Sequence, residues 1–458
     1  MAFIPNRRDF LRAALVAGGA TMAGPLEALL GRVASAATLD SLVTDGFGGL
    51  APVKDHTTGL PLLQLPPGFR YVTFGWIGDR MEGGTVTPGY HDGMAAFAGE
   101  GSRVRLVRNH EITRGPSFDP SLSYDPAVGG GTTTLDFDTA KGKLVGYRAS
   151  LAGTIRNCAG GPTPWGSWLT CEETLLEPGP GLPFTRKHGY VFEVPLDGRP
   201  TIEPLTAMGR FVHEAAAVDP ATGIVYMTED ARDAGLYRFI PNTTSRLAEG
   251  GRLEMLAVAG QPRLDTRTGQ RPGMSYPVSW VAIDEPERPH EVEERRDGRG
   301  VFSQGWARGA AVFARLEGCT YADGKVFVTA TSGGAAKMGQ VWELDLEGSE
   351  LRLAFESPGP EVLNMPDNTC QSPRGGLVLC EDGTMNPCVQ GLTADGRIFR
   401  FARNNIVMNG ERNGIRGDFR DREFAGATFS PDGEWLFFNV QHPGVTFAVT
   451  GPWAEGLF

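Results

Sequence analysis

Short runs of apolar residues, or of alternating apolar and polar residues, dominate the chain. Apart from the N-terminal stretch, no long segment repeats its apolar residues with a helical period. The runs are bounded by Gly, Pro, Asp and Asn, as in GYVFEV (189–194) and GQVWEL (339–344). Short alternating runs between such residues are typical of β-strands joined by tight turns. The pattern therefore predicts an all-β fold.

One unit recurs along the chain: a short strand, a Pro- and Gly-rich turn, and a second apolar strand. A Gly followed by an aromatic-bearing strand comes after most copies. Four-stranded units at intervals of roughly 50 residues are the signature of a β-propeller. The sequence therefore predicts a six-bladed β-propeller with loop insertions. The six copies contain HDGMAAF (91–97), NCAGG (157–161), HEAAAV (213–218), LEGC (316–319), DNTC (367–370) and FAGATF (424–429).

The long gap between Glu214 and Glu317 leaves room for a seventh blade as an alternative. It contains VSWVAIDEPE (278–287) and a charged stretch at 285–300. Such a stretch is typical of an exposed segment. We therefore expect an insertion at about 243–300 within one propeller domain that spans residues 37–458.

The first 36 residues have the pattern of an export signal. NRRDFL (6–11) is a twin-arginine motif, an Ala- and Gly-rich stretch follows, and ASA (34–36) is a small-residue cleavage site. Charged residues and a proline interrupt the stretch, so it is too weakly apolar for stable membrane insertion. We expect passage through the twin-arginine export machinery, cleavage before Ala37, and a periplasmic or secreted protein.

The formal net charge of −11 disfavours a nucleic-acid partner, because phosphate backbones select basic faces. The six cysteines include no CxxC spacing, so we expect no zinc knuckle. Disulfides are compatible with export, but the sequence leaves their connectivity open.

Aligned copies share one position on the strand that should line the central channel. Carboxylates or a thiol occupy this position in five of the six copies. Acidic groups around one axis repel, and burying each costs several kcal/mol unless a cation compensates. Oxygen ligands suit Ca²⁺ or Mg²⁺, and a thiolate indicates a transition metal such as iron; a water-filled acidic channel is the alternative. The aligned residues are Asp92, Cys158, Glu214, Glu317, Asp367 and Ala425.

A second acidic set lies at the ends of the second strands. Neighbouring side chains on a strand point to opposite faces, so about half of this set should face away from the channel. We expect Glu111 and Glu229 to be metal ligands, and Glu173 and Asp382 to be surface residues. The set comprises NHE (109–111), CEE (171–173), Glu229-Asp230 and Glu381-Asp382.

Arg315 precedes Glu317 by two residues, so on one strand both would face the same side. An arginine beside a metal cluster can bind phosphate through two parallel hydrogen bonds. A salt bridge to a neighbouring carboxylate is the alternative. His110 and His213 each precede a Glu, and we expect them to be structural hydrogen-bonding residues.

Several segments resemble, in order, the PhoX-type alkaline phosphatases. They are the twin-arginine start, LVRNHE, NCAGGPTPWGSWLTCEE, GRFVHEAAAV, ARLEG and PDN, and the long NCAGG-containing run is the most specific. The resemblance extends from about residue 60 to the C-terminus, apart from 243–300. It implies an exported, monomeric, six-bladed propeller that hydrolyses phosphomonoesters at a cluster of ferric iron (Fe³⁺) and calcium ions.

The resemblance also assigns site residues. Cys158 matches the iron-binding cysteine, Glu214 the His-Glu segment, and Asp367 the acidic residue of PDN. Arg315 and Glu317 match an Arg-x-Glu pair near the substrate phosphate, and we predict them to be catalytic.

These observations favour an exported, metal-dependent phosphomonoesterase for small-molecule phosphate esters. Cys171 stays open as an alternative to Cys158 for iron. Two other functions also stay open: a calcium-dependent propeller hydrolase of another ester, such as a lactonase, and a non-catalytic propeller scaffold. A lactonase would need Ca²⁺ alone and a His base, whereas a scaffold has no reason to concentrate carboxylates on its axis.

Overall fold

Nearly all regular structure is β-strand, in agreement with the alternating pattern of the sequence. The computed structural model describes residues 42–197, 201–288 and 299–456. The predicted export signal and its cleavage site lie outside these residues. Within them, no helix is both long enough and apolar enough to cross a bilayer. An α-helix spans Arg299–Ala307, and short 3₁₀ helices span Glu82–Gly84, Pro120–Leu122, Thr206–Met208, Leu247–Glu249 and Trp453–Glu455.

The strands form antiparallel sheets that follow one another along the chain. In chain order, β1 to β28 are Ala51–Val53, Leu63–Leu65, Arg70–Phe74, His91–Ala98, Arg103–His110, Gly130–Asp138, Lys143–Thr154, Asn157–Pro162, Ser167–Glu172, Val191–Pro195, His213–Val218, Val225–Glu229, Leu236–Pro241, Gly251–Val258, Ser275–Ile283, Leu316–Ala322, Lys325–Ala330, Gln340–Asp345, Glu350–Glu356, Pro366–Gln371, Leu377–Glu381, Cys388–Leu392, Ile398–Asn404, Val407–Asn409, Arg416–Asp418, Phe424–Phe429, Leu436–Val440 and Val445–Thr450.

The sheets form a propeller-like arrangement. Strands β4–β7 form one sheet and β8–β10 the next. Strands β11–β14 and β16–β19 belong to a nine-stranded sheet, in which β15 joins β14 to β19. Strands β20–β23 are extended by β2 and β1. The C-terminal strands β26–β28 take β3 as their fourth strand, so a strand from the N-terminal part of the chain completes the last sheet.

The first strands of the repeat copies lie side by side in chain order: β4, β8, β11, β16, β20 and β26. Strand β26 in turn lies beside β4, so the series of inner strands closes on itself. Their starts therefore face a common centre, where the aligned acidic residues should meet.

Glycines allow the inner strands to approach one another closely. A Cβ atom at Gly161 would lie 1.8 Å from the carbonyl oxygen of Ala216 on β11. A Cβ atom at Gly93 would lie 2.6 Å from the Cα of Ala159 on β8. Any side chain at either position would push these strands apart. Gly93, directly after Asp92, and Gly161, three residues after Cys158, thus keep the inner strands close together near the centre.

The predicted insertion at about 243–300 contains ordered strands. Gly251–Val258 pairs with β13 as the fourth strand of its group, and Ser275–Ile283 pairs with it in turn. Ser275–Pro277 also pairs with Glu350–Arg352, which links two groups of strands. Residues 289–298 of the charged stretch lie outside the described part of the chain.

The hydrophobic core lies between neighbouring sheets. One cluster packs Leu106, Leu135 and Phe137 against Phe74 and Phe437 of the sheet formed by β26–β28 and β3. Burying an aromatic or aliphatic side chain of this size stabilises a fold by roughly 1.5–3 kcal/mol. The apolar faces therefore fix the positions of the inner strands and of the polar residues at their starts.

Candidate metal centre

The same backbone hydrogen bond recurs where each second strand ends. The residue that follows the strand donates its N–H to the carbonyl oxygen of the residue that precedes the first strand. It thereby brings two chain segments together at the centre. The donor and acceptor pairs are Glu111 to Tyr90, Glu173 to Arg156, Asp230 to Val212, Thr331 to Arg315, Asp382 to Met365 and Gln441 to Glu423, at 2.9 to 3.3 Å.

A β-bulge in the first strand lies at the aligned position: it includes the aligned residue in five copies and begins directly after Ala425 in the sixth. In one copy His91 pairs with His110, and the register then shifts before Met94. Bulges re-aim side chains and often lie beside functional sites. The shift recurs after Asn157, His213, Leu316, Pro366 and Ala425.

Each of several aligned residues is held by the copy before it. The side chain of Asn109 donates to the carbonyl oxygen of Cys158 at 3.1 Å, and Thr228 donates to that of Glu317 at 2.7 Å. The hydroxyl of Thr329 donates to the carbonyl oxygen of Asp367 at 2.8 Å. The side chain of Asn439, in the last copy, donates to the carbonyl oxygen of Asp92, in the first copy, at 2.6 Å. These contacts fix the backbone at the centre, so that its side chains are preorganised.

The side chains converge on a central cavity of about 260 Å³. Nine carboxylates, one thiol, two guanidinium groups and one amide line it. All the predicted site residues line this cavity except Glu229. The lining residues are Asp92, Glu111, Arg156, Cys158, Glu173, Glu214, Asp230, Arg315, Glu317, Asp367, Asp382, Glu423 and Gln441.

Glu229, which we predicted to be a ligand, does not line the cavity. Its carboxylate accepts hydrogen bonds from the N–H of Gly235 at 2.9 Å and the hydroxyl of Tyr237 at 2.8 Å. Because side chains alternate along a strand, the next residue, Asp230, faces the cavity instead. In the preceding copy Glu172 likewise accepts hydrogen bonds from backbone N–H groups, those of Ile155 and Gly189.

The prediction that Glu173 and Asp382 are surface residues is wrong. Both line the cavity, and Glu173 is 8% exposed. The recurring backbone hydrogen bond places Glu111, Glu173, Asp230 and Asp382 at equivalent positions. In the aligned copies this position is always the second residue of a pair of acids, or the residue after the strand end, and the repeat thereby distinguishes it from its neighbour.

Sequence reasoning also missed Arg156 and Glu423. Arg156 precedes Cys158 by two residues, as Arg315 precedes Glu317, so the repeat itself carried the signal. Glu423 precedes the one aligned position without a ligand atom, Ala425, and lies on the cavity in that copy. Gln441 donates to the carboxylate of Glu111 at 2.6 Å.

Arg315 reaches the cavity by a route that differs from the prediction. It precedes β16 and has a left-handed backbone with φ of 47°, so strand alternation does not set its direction. Its guanidinium binds Glu317 and both carboxylate oxygens of Asp230. The salt bridge that we weighed against phosphate binding is therefore present.

Cys158 is the cysteine at the cavity. Its thiol and carboxylate oxygens of Glu173 and Glu214 all lie within 4.8 Å of one another. Cys171 instead packs in a hydrophobic cluster with Leu169 and Val191. All six cysteines are unpaired thiols in the structure.

A second group of ligand atoms comes from carboxylates alone. Oxygen atoms of Asp92, Glu111 and Glu423 lie within 4.8 Å of one another. Hard oxygen ligands suit Ca²⁺, and a thiolate with carboxylates suits a transition metal. The side chains therefore fit a mixed set of cations.

Burial and mutual repulsion act on the carboxylates at the centre. Burial, followed by the charges of Glu111 and Asp367, raises the pKa of Asp92 well above its usual range. Burial, followed by the charges of Glu173 and Asp367, does the same to the pKa of Glu214. Without cations these groups therefore favour their protonated forms.

The thiol of Cys158 is subject to the same effects. Burial, followed by the charge of Glu214, raises its pKa well above the usual range. A metal ion binds the thiolate and would have to displace this proton.

The two histidines beside glutamates are structural. His213 stacks on Phe211 with 3.6 Å between ring centroids, and burial lowers its pKa to about 3. His110 interacts with the carbonyl oxygen of Gly89 and the hydroxyl of Thr133, both at 2.9 Å. Among the described residues that line the cavity there is no histidine.

The family model described as alkaline phosphatase PhoX matches residues 46–147 and 139–444. PhoX from Pseudomonas fluorescens, solved in complex with vanadate, a transition state analogue, is similar with a TM-score of 0.65 and 18% identity. The match covers 89% of this chain and 99% of that one, and it shows the fold. No curated protein matches the sequence.

A gluconolactonase from Xanthomonas campestris is also similar, with a TM-score of 0.38 and 12% identity over 88% of this chain and 98% of that one. Virginiamycin B lyase from Staphylococcus aureus has a TM-score of 0.38 and 9% identity over 83% of this chain and 99% of that one.

Proposed function

Because this phosphatase belongs to the PhoX alkaline phosphatase family, we propose that it hydrolyses small-molecule phosphate monoesters at a metal cluster in its central cavity. One observation carries the proposal: among the described residues, nine carboxylates and a thiol line one cavity together with two guanidinium groups. Two arginines cannot balance so many acids, and unbalanced buried charge is costly. Cations balance the charge and also attract a phosphate dianion.

The proposal assigns iron to the thiol side of the cavity. Cys158, Glu173 and Glu214 offer one sulfur and two carboxylate ligands, a donor set that favours iron over calcium. Calcium would bind the all-oxygen group of Asp92, Glu111 and Glu423.

Glu317 and Asp367 complete the ring of ligands. They line the same cavity as the two ligand groups, and Glu317 also accepts a hydrogen bond from the hydroxyl of Thr331 at 2.6 Å. Bound metal ions would supply Lewis-acid polarisation of the phosphoryl oxygens and lower the pKa of water.

Arg315 is the proposed phosphate-binding residue. Its side chain is 30% exposed, whereas that of its partner Glu317 is 5% exposed, so the guanidinium lies nearer to solvent. Asp230 fixes its orientation through two hydrogen bonds at 2.9 and 3.2 Å. A fixed guanidinium can stabilise the charge that develops on phosphoryl oxygens in the transition state.

The proposal includes a six-bladed propeller. Supporting this number are the six first strands that lie side by side and close on themselves, and the recurring hydrogen bond in every copy. The nine-stranded sheet would then contain two blades, which β15 connects.

The proposal also includes twin-arginine export, cleavage before Ala37, a periplasmic or secreted location, and a monomeric protein. The support is the N-terminal sequence and the family resemblance described above. Intact-mass measurement and size exclusion of the exported protein test these points together.

The alternative function is a lactonase, and the test must distinguish lactone hydrolysis from phosphate ester hydrolysis. It would use calcium and a histidine base, but histidine is not among the described residues of the cavity lining. Purified protein should therefore hydrolyse an aryl phosphate and leave a γ-lactone intact. Lactone hydrolysis without phosphate ester hydrolysis would reject the proposal.

A further inference from the structure

Arg156 occupies in one repeat copy the position that Arg315 occupies in another. Each precedes an aligned ligand position by two residues, and each has a left-handed backbone with φ of 47°. The carbonyl oxygen of Arg156 accepts the N–H of Glu173 at 3.0 Å, as that of Arg315 accepts the N–H of Thr331 at 2.9 Å. Both side chains line the central cavity.

Each guanidinium group is held by two carboxylates, although only Arg315 binds one of them, Asp230, through two nitrogens. Nε of Arg156 donates to Glu111 at 3.1 Å, and Nε of Arg315 donates to Asp230 at 2.9 Å. Each acceptor is the residue that follows the second strand of the preceding copy. Nη2 of Arg156 then donates to Glu173 at 2.5 Å, and Nη2 of Arg315 donates to Glu317.

One nitrogen of each guanidinium, Nη1, is available to bind a ligand. Among the described residues, Nη1 of Arg156 and Nη1 of Arg315 have no hydrogen-bond partner. The side chain of Arg156 is 38% exposed, and those of its partners Glu111 and Glu173 are 16% and 10% exposed. The guanidinium therefore lies on the solvent side of the carboxylates that orient it.

The two arginines are also the cationic side chains of the described cavity lining. Arg156 and Arg315 belong to different repeat copies. One copy lies between them in the chain, and that copy supplies Glu214 and Asp230. An anion that enters the cavity thus meets a positively charged group from two directions. An oxyanion with several equivalent oxygens can accept hydrogen bonds from both.

We propose that Arg156 is a second phosphate-binding residue, which together with Arg315 binds the phosphoryl group of the substrate from two sides of the cavity. The inference rests on the proposed phosphatase function of this cavity. The carboxylates of Glu111 and Glu173 orient Arg156, and its Nη1 donates to a phosphoryl oxygen. The alternative is that Arg156 only compensates the charge of these two glutamates.

The test compares Arg156→Lys with the wild-type holoenzyme. Lysine keeps the positive charge, so charge compensation persists, but it cannot bind both glutamates and an oxyanion with one planar group. We expect inhibition by vanadate to weaken about 10- to 100-fold, the range for one hydrogen bond to a charged group. Iron and calcium per chain should stay at the wild-type level.

Arg105→Lys is the matched control. Arg105 binds two acids as well, Asp136 at 2.7 Å and Asp197 at 2.8 Å, but it does not line the cavity. This variant should keep the wild-type inhibition by vanadate and inorganic phosphate. A loss equal to that of Arg156→Lys would mean that any such substitution disturbs the enzyme, and it would overturn the inference.

A double-mutant cycle gives a second readout. If Arg156 and Arg315 bind the same phosphoryl group, the effects of Arg156→Lys and Arg315→Lys on vanadate inhibition should not be additive. Unchanged inhibition in Arg156→Lys, or loss of metal in step with inhibition, would overturn the inference. A wild-type enzyme that contains metal but hydrolyses no phosphate ester would reject the proposed function first, and the inference with it.

Discussion

Arg315 donates two parallel hydrogen bonds to Asp230, from Nε to Oδ1 at 2.9 Å and from Nη2 to Oδ2 at 3.2 Å. Asp230 follows the second strand of the preceding copy, so the pair connects neighbouring copies at the cavity. The same guanidinium binds Glu317 of its own copy. Arg315 is therefore held rigidly, and a planar side chain is required for all of its contacts.

Arg315→Lys should lower kcat/KM far more than the conserved charge suggests. Lysine offers a point contact and cannot bind Asp230, Glu317 and a phosphoryl group together. Loss of one preorganised donor in an active site costs about 10²–10³ in rate. Steady-state kinetics on an aryl phosphate should show this loss while metal content is unchanged. Near wild-type kcat/KM would make Arg315 a structural salt-bridge residue.

Glu317→Gln should behave differently, because its carboxylate is a proposed metal ligand and its side chain is only 5% exposed. Removing its charge should reduce both metal content and rate. Elemental analysis beside kinetics separates this variant from Arg315→Lys. Full metal content with a lowered rate would assign Glu317 to the substrate and not to the metals.

Cys158→Ser should lose iron and most activity, whereas Cys171→Ser should keep iron. The thiol of Cys158 lies with Glu173 and Glu214, while Cys171 lies in the hydrophobic core. A serine hydroxyl is a much poorer ligand than a thiolate. The iron content per chain of the two variants shows which cysteine is the iron ligand. Equal loss in both variants would indicate a folding defect and contradict the assignment of Cys158.

Much of this arrangement could be predicted from the sequence. The repeat identified Asp92, Cys158, Glu214, Glu317 and Asp367, and the structure brings all of them to one cavity. The family resemblance is confirmed by the family model. These residues could be predicted because the repeat places equivalent positions around one centre, independently of the length and sequence of the loops between them.

The second set of acids was harder to predict, because its direction depends on where each strand ends. Glu229 is the last residue of β12 and Asp230 the first one beyond it, and a shift of one residue exchanges the two faces. The direction of Arg315 depends on a left-handed backbone that no apolar pattern reveals. Arg156, in contrast, could have been found by extending the alignment two residues upstream.

Glu229→Gln should lower stability and leave metal content unchanged. The buried carboxylate accepts from Gly235 and Tyr237, and the amide would replace one acceptor oxygen with a donor group. A disturbed buried hydrogen bond costs about 1–3 kcal/mol. Thermal unfolding of the variant beside metal analysis tests this. Loss of metal with unchanged thermal stability would restore Glu229 as a ligand.

The metal-free protein should lose stability as pH rises. Burial and neighbouring charges raise the pKa of Asp92, Glu214, Glu317 and Asp367 in the folded state. The folded state therefore holds protons that the unfolded chain releases at about pH 4. Since the folded state binds more protons, the free energy of unfolding falls as pH rises above that value.

Melting temperatures of chelated protein at pH 5 and pH 8 measure this effect, and the value at pH 8 should be lower. Cations that bind only the folded state should remove most of the difference. A chelated protein that is more stable at pH 8 would contradict the account of the acidic centre.

The most direct test of the metal-dependent phosphatase is elemental analysis of active protein before and after chelation, with aryl phosphate turnover measured on the same samples. The account predicts that iron and calcium are present in stoichiometric amounts, that chelation removes turnover, and that adding back both metals restores it. Undiminished turnover by protein that contains neither metal would contradict it.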